Sequence, residues 1–583
     1  MKSSRRLDLR CYCEPALILL LGLFLCLLGV TSLGARAVNF VYHSSLWAER
    51  GTIIAGLCLG YGLAGLGLAG LSFFSVARGH TLVSRLAVGM GRLWSDFRAE
   101  MEAFRQSDAG RGWFWPLAAL AIGAGARGYY LSQPMRGDES YTFLNFANKD
   151  FLALFGYDVP NNHVLHTLLV KLSILLLGAS PVSIRMPAFL MGLLTILLTY
   201  ALARRLNPGP NSGRLAALSA AVFPYLILYS TNARGYTLIV VLTLLAALIG
   251  LKVVEHLTFG RVALLAFVSA LGMLTMPSML VGAAGVFCWL AAVLFVQTDR
   301  ADVKKILLEF TLPFGVLSGI FTLILYTPVM LVAGGLGPII ANRYVESQTW
   351  PDFLAGLLPQ SLKTVEELTR DVPMPVLVVG VGLALLGLVL AVRPTGYIKR
   401  DWQMRLTHRV YMLPGLLAGS LAVMLLQHTN LYSRTWIFML PFIFVLADAG
   451  LGRLLAGLSP GWQSLAQAAV LVGALVYAGG VMSSNVISQY ADTSAFPEAQ
   501  LAVEYLKPIL GRDDAVHVTG VADWPFYFYC WYYDVPVPLS QTKSGQGHTY
   551  IIVKKSRYSV NDMTDKSVVK LLDFNDLALY EER

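Results

Sequence analysis

The sequence predicts an α-helical polytopic membrane protein with a small α/β domain at its C-terminus, and three observations predict it. Of 583 residues, 56% are hydrophobic and only 14% charged, where an ordinary soluble domain carries about 25% charged residues; the mean hydropathy is +0.60. The apolar residues gather in continuous runs near the roughly 20 residues that cross a bilayer as a helix, not in the short alternating segments of a transmembrane barrel. Beyond residue 482 the runs stop, and short strand-like and helix-like segments replace them.

About thirteen spans are expected, near 15–34, 52–76, 113–131, 184–203, 215–229, 235–254, 262–276, 279–297, 310–332, 375–392, 410–426, 435–450 and 464–482. The first follows Lys2, Arg5 and Arg6 and resembles a secretory signal, but no clean small-residue cleavage site is obvious and a second span comes soon after. It is read as a retained helix. Residues 78–112 carry arginines on an amphipathic pattern that suits the anionic inner leaflet. The apolar stretch 163–178 is short for a span and is read as interfacial or re-entrant. That choice fixes the parity of everything after it. With the N-terminus cytoplasmic, the loops then assigned to the cytoplasm carry roughly twice the Lys and Arg of the external ones, the asymmetry that sets orientation. The net charge of +10 is accounted for by those loops and does not call for nucleic acid. The expected location is the cell's inner (plasma) membrane, with the C-terminal domain extracytoplasmic.

The organisation follows. Residues 1–112 hold two helices and the amphipathic segment. Residues 113–482 form a membrane body with external loops at 132–183 and 333–374, and 483–583 form the soluble domain. In that domain 499–506 has helical periodicity, while 514–519 and 550–553 read as buried strands. The six cysteines are scattered, with no CxxC, so neither a metal cluster nor a disulfide framework is indicated.

Chemistry concentrates in the external loops. Asp138 and Glu139 stand together just beyond the third span, where ionisable groups are expensive and tend to be functional; an acidic pair reaching to water beside Arg136 is the plainer reading. Asn161, Asn162, His163 and His166 crowd the start of an apolar helix. The two histidines are three apart and share a helix face, which suits local hydrogen bonding better than a metal without a third ligand, and all four residues stand as candidate sugar or phosphate contacts. Arg234 with Tyr236, Arg434, and Arg343 in the long loop lie at outer helix ends. Their planar forks match phosphate oxygens, although arginines also snorkel there for no further purpose. Arg185 is read as holding its helix start in place.

Taken in order, Arg136-Gly137-Asp138-Glu139, Pro160-Asn161-Asn162-His163, Arg185-Met186-Pro187, Tyr200 to Arg205 and Asn232-Ala233-Arg234-Gly235-Tyr236 resemble the membrane glycosyltransferases of GT-C fold. The nearest branch is the protein O-mannosyltransferase and lipid A aminoarabinose transferase superfamily. The resemblance is strongest over 113–300. It implies a polyprenyl-phosphate-sugar donor, a lipid, protein or glycan acceptor, and chemistry at the external face. It also implies that Asp138 is the base, with Glu139 supporting it, and that Arg234 and Arg434 are phosphate contacts. No DxD doublet of the metal-dependent oligosaccharyltransferases is present. Asn161-Asn162-His163 stands where the aminoarabinose branch carries Lys-Pro-Pro-Leu. Two rivals remain. A transporter predicts internal repeats and midplane charges, which this sequence lacks; a polysaccharide polymerase or ligase shares much of the pattern.

Overall fold

The computed structural model describes residues 13–30 and 45–583, except for most of 78–112 and for 158–159, 208, 210, 298–302, 341–346, 393–399, 491–494, 512–513 and 536–546. Arg343 and most of the expected amphipathic segment therefore lie outside the described residues.

The chain is a multi-pass membrane protein. Among the described residues eight helices are long and apolar enough to cross a bilayer, and four shorter apolar helices accompany them. In chain order the helices are α1 (Cys13–Val30), α2 (Ser45–Ala77), α3 (Phe114–Leu131), α4 (Gly137–Thr142), α5 (Val164–Leu177), α6 (Pro181–Leu206), α7 (Arg214–Val222), α8 (Pro224–Ser230) and α9 (Tyr236–Glu255). Then come α10 (Phe259–Thr275), α11 (Met279–Gln297), α12 (Leu312–Ala333), α13 (Trp350–Leu368), α14 (Met374–Val392), α15 (Arg400–Gln427), α16 (Met439–Leu455) and α17 (Pro460–Ser484). The central bundle is built on α9, whose membrane window is 78% buried. It packs against α6, α10 and α11, while α1 and α2 pair with each other and lean on α12.

The expected span at 215–229 is not one helix. Pro224 lacks the N–H that would bond the carbonyl of Ala220, so the run breaks into α7 and α8. The carbonyls left open are met by Arg127, fully buried in α3, whose guanidinium donates to Ala220 O at 2.9 Å and Ala221 O at 2.7 Å. An arginine inside a membrane helix is tolerable here because it ends a broken neighbour. Helix α5 has 14 residues, about 21 Å at 1.5 Å per residue, and so falls short of the roughly 30 Å hydrocarbon core.

The C-terminal domain adds α18 (Ala499–Leu506), β1 (Ala515–Val518), α19 (Asp523–Tyr532), β2 (Thr549–Lys554), β3 (Val568–Phe574) and β4 (Leu577–Glu582). The sheet order is β1-β2-β4-β3. Strands β1 and β2 are parallel, which requires a crossover, and α19 lies on it; the other pairs are antiparallel. The core of Val516, Val518, Ile552, Leu577 and Leu579 beneath Phe526 and Phe528 runs on into Met135, Phe143 and Ile184 of the body. Phe143 meets Phe528 and Trp531 at ring separations of 5.5 and 4.8 Å. The domain is thus seated on the segment that carries Asp138.

Candidate active site

Helix α4 begins at a junction organised by Glu139. Its carboxylate is wholly buried and accepts from the backbone N–H of Arg136 at 2.9 Å, which meets one open donor at the helix start. It also accepts from Ala233 N–H at 2.8 Å and from Arg185 Nε at 3.0 and 3.2 Å, and it pairs with Arg185 Nη2. Arg185 in turn donates to the carbonyls of Leu131 and Pro134, each at 2.9 Å. One acid therefore ties together the end of α3, the start of α4, helix α6 and the loop before α9. Arg136 fastens the same point to the C-terminal region by donating from Nη1 to Tyr490 O at 2.6 Å.

With Glu139 pointing inward, Asp138, turned about 100° from it on the helix, lines a cavity of about 1270 Å³. Asp138 Oδ2 lies 3.8 Å from Arg234 Nη2 and 4.0 Å from Arg434 Nη1. Arg234, 3% exposed, is held by donating from Nη1 to Thr142 Oγ1 at 3.1 Å and Asn161 O at 2.7 Å. Arg434 sits over the rings of Tyr432 and Tyr236 at 5.0 and 5.7 Å, within cation–π range.

His163 completes this group. Its Nδ1 accepts from Gly235 N–H at 2.8 Å. Burial and the Arg234 guanidinium beside it hold its pKa well below the ordinary imidazole value, so the ring is neutral and its proton is assigned to Nε2. Nε2 lies 3.2 Å from Arg234 Nη2. Two donors that face each other in this way share a natural partner, which is an anionic oxygen. The close approach depends on Gly235: a Cβ there would lie 2.7 Å from Thr275 Cγ2 and 3.1 Å from His163 Nδ1.

The cavity wall gathers Asp138, Asn161, His163, Arg234, Tyr236 and Arg434. Glu139, Asn162 and His166 stand outside it. Asn162 is spent on the loop before α5, donating to Leu154 O and Gly156 O and accepting from Thr167 Oγ1. His166 is fully buried on α5, and neither ring nitrogen has a hydrogen-bond partner among the described residues. Further wall residues were not anticipated: Tyr141 from α4, Tyr157 from the segment before α5, and Gly520, Asp523, Trp524 and Tyr558 from the C-terminal domain. The dense aromatic run of α19 was the signal that could have drawn attention to it. Away from the charged groups the wall is apolar, through Met276, Leu280, Val281, Val423 and Leu426. The cavity thus suits an amphipathic ligand with an anionic head. Among the described residues, no group of three or more His, Cys, Asp or Glu gathers as a metal site.

Residues 160–331, less than a third of the chain, match the family model described as dolichyl-phosphate-mannose-protein mannosyltransferase. The match takes in Asn161, His163 and Arg234 and begins after Asp138. Among solved structures, ArnT from Cupriavidus metallidurans bound to undecaprenyl phosphate is 13% identical, with a TM-score of 0.51 over 81% of this chain and 98% of its own. Its apo form gives the same values. The fold is that of the GT-C membrane glycosyltransferases. Arabinosyltransferase EmbB from Mycobacterium smegmatis matches at 15% identity over 57% of this chain and 30% of its own, and its TM-score of 0.36 adds nothing to that. No curated protein sequence matches the chain. Of the cavity wall, the matched segment supplies Asn161 and His163 ahead of α5, Arg234 and Tyr236 at the start of α9, and Met276, Leu280 and Val281 where α10 gives way to α11, while α4, residues 423–435 and the C-terminal domain supply most of the rest.

Proposed function

We propose that the chain transfers a sugar from a polyprenyl-phosphate carrier to an acceptor hydroxyl at the extracytoplasmic face of the plasma membrane, with Asp138 as the base. The acceptor is a lipid, protein or glycan. The observation that carries this reading is one cavity-facing carboxylate with two arginines within 4.0 Å. The donor is a phosphodiester of a sugar and a long isoprenoid, so it needs cations for the phosphate and an apolar wall for the chain. Both are present in one cavity. The GT-C fold shared with a protein whose structure holds undecaprenyl phosphate supports the same donor class, and the charge asymmetry of the loops supports the sidedness.

The chemistry is a substitution at the anomeric carbon. Asp138 takes the proton from the acceptor hydroxyl as its oxygen bonds to that carbon. The carbon–oxygen bond to phosphate breaks, and the polyprenyl phosphate departs with the electron pair. Arg234, Arg434 and His163 Nε2–H stabilise the charge gathering on the leaving phosphate. No acid is needed, because the phosphate is already a good leaving group.

The deciding experiment uses the full chain in lipid nanodiscs with polyprenyl-phosphate sugars extracted from native membranes. Release of polyprenyl phosphate is followed by mass spectrometry. Asp138→Asn is expected to lower turnover by roughly 10²–10⁴-fold, the range for loss of a general base, while insertion and thermal stability stay unchanged. Turnover within a few-fold of wild type would remove Asp138 from the role. A reporter fused after Arg583 checks sidedness, with activity expected outside the cytoplasm.

A further inference from the structure

The part of the cavity wall that comes from the C-terminal domain has a chemistry no phosphate requires. Asp523 and Trp524 open α19, and Tyr558 joins them on the wall. Asp523 is largely buried, and its Oδ1 accepts from Trp524 N–H at 2.7 Å. It forms no ion pair among the described residues. Burial pushes its carboxyl up to about 6, as expected of an acid taken from water without a cation to replace it. Trp524 meets the ring of Tyr141 edge-on at 4.6 Å, and Tyr141 stands one turn from Asp138 on α4. The backbone turns at Gly520 with φ of +36°. The hydroxyl of Tyr558 lies 2.5 Å from where a Cβ on that residue would be. Only glycine lets the phenol sit there.

The carboxylate of Asp523, with no ion pair among the described residues, disfavours a phosphate at this part of the wall. The carboxylate, the indole and the phenol hydroxyl suit a ligand that is apolar on one face and rich in hydroxyl donors at its rim. We propose that Asp523, Trp524 and Tyr558 form a carbohydrate subsite. Trp524 takes the C–H face of a sugar ring, and Asp523 and Tyr558 take its hydroxyls. This rests on the reading of the cavity as a sugar-transfer site. The ring belongs to the donor's sugar or to a glycan acceptor, and the two share this recognition chemistry.

The test is saturation-transfer NMR on the full chain in nanodiscs, free of glycoside detergents, with methyl α-mannoside, methyl β-glucoside and methyl β-galactoside as probes. At least one glycoside is expected to bind. Trp524→Ala should weaken that binding at least tenfold and Asp523→Asn several-fold, with Trp524→Phe retaining part of it as the folding control. Added undecaprenyl-phosphate mannose distinguishes the sources: displacement of the glycoside assigns the ring to the donor, and simultaneous binding assigns it to the acceptor. Three results overturn the subsite. They are no glycoside bound to wild type, equal binding by a folded Trp524→Ala or Trp524→Phe variant, or Asp523-dependent binding of ethanolamine in place of glycosides. Asp138→Asn is run in parallel for turnover alone. Turnover retained by that variant refutes the base alone, whereas glycoside binding indifferent to Trp524 refutes the subsite alone.

Discussion

Replacing Glu139 by glutamine keeps the side chain's size and removes its charge, which separates it from the aspartate beside it. Glu139 and Arg185 are both fully buried, and the same carboxylate accepts backbone N–H bonds from Arg136 and Ala233. Glutamine offers one acceptor oxygen in place of two and leaves the Arg185 guanidinium without a counter-charge. Removing one partner of a buried ion pair costs about 3–5 kcal/mol, a large share of the roughly 5–15 kcal/mol that holds a folded protein together. The expected result is a clearly lower unfolding temperature for Glu139→Gln in nanodiscs, with turnover lost because α4 no longer presents Asp138. A Glu139→Leu/Arg185→Met double variant should regain part of the stability, since an apolar pair of similar bulk avoids the stranded charge. The reasoning fails if Glu139→Gln unfolds with wild type, or if Asp138→Asn is destabilised as much. Either outcome would mean that the adjacent acids do not divide positioning from chemistry.

Arg434→Ala is expected to raise the apparent KM for a polyprenyl-phosphate donor by roughly 10–100-fold, from loss of a charge-assisted contact of about 1.5–3 kcal/mol, with little change in unfolding temperature. Arg234→Ala should show the same kinetic loss together with lower stability, because its bonds to Asn161 O and Thr142 Oγ1 hold the loop. Steady-state kinetics and thermal unfolding of the two variants check the contrast. Gly235→Ala brings a methyl within 2.7 Å of Thr275 Cγ2 and should displace His163, lowering turnover at least tenfold; full activity would show that His163 does not need that bond. Asp523 supplies a pH prediction. Its folded value of about 6 is above the roughly 3.9 of an unfolded chain, so the folded state binds the proton more tightly. The destabilisation is full above pH 6, shrinks as pH falls through that value, and is gone below about 4. Asp523→Asn should therefore be more stable than wild type at pH 7.5 and equal to it near pH 4, by thermal unfolding.

The sequence made the membrane body legible because apolar runs are long, and the α/β tail legible because 499–506, 514–519 and 550–553 keep their own periods. It misled at 215–229, where an unbroken apolar run concealed the consequence of Pro224, and β3 and β4 passed unnoticed because Lys570 and Asp573 in one and Glu581 and Glu582 in the other break up their apolar pattern. At the site, Asp138, Arg234, His163 and Arg434 were named from outer helix ends, where charge is costly without a use. Position alone assigned Asn162 and His166 to the same group, and the fold turns them away. Which side of a short helix faces a cavity is settled by tertiary partners such as Ala233 and Arg185, and those are distant in sequence. Asp523, Trp524 and Tyr558 were beyond reach for the same reason. Their role as wall residues exists only once the tail is seated on Phe143.

The separation between Asp138 and its arginines bears on how a base and a phosphate clamp can share a cavity. At 3.8 and 4.0 Å these pairs lie past the roughly 2.7–2.9 Å of a direct charge-assisted hydrogen bond. The arginines attract the carboxylate without covering its lone pairs, and their forks are not closed on it. Arg234 is fixed instead by Asn161 and Thr142, and Arg434 rests on tyrosine rings, so neither depends on Asp138 for its place. In the proposed reaction a donor phosphate is then received by the guanidinium groups while the carboxylate remains open to an acceptor hydroxyl. A tight bidentate pair would have defeated both functions, consuming the base and the clamp together. Glu139 forms such a pair with Arg185, one residue along the same turn, and it is the acid turned away from the cavity.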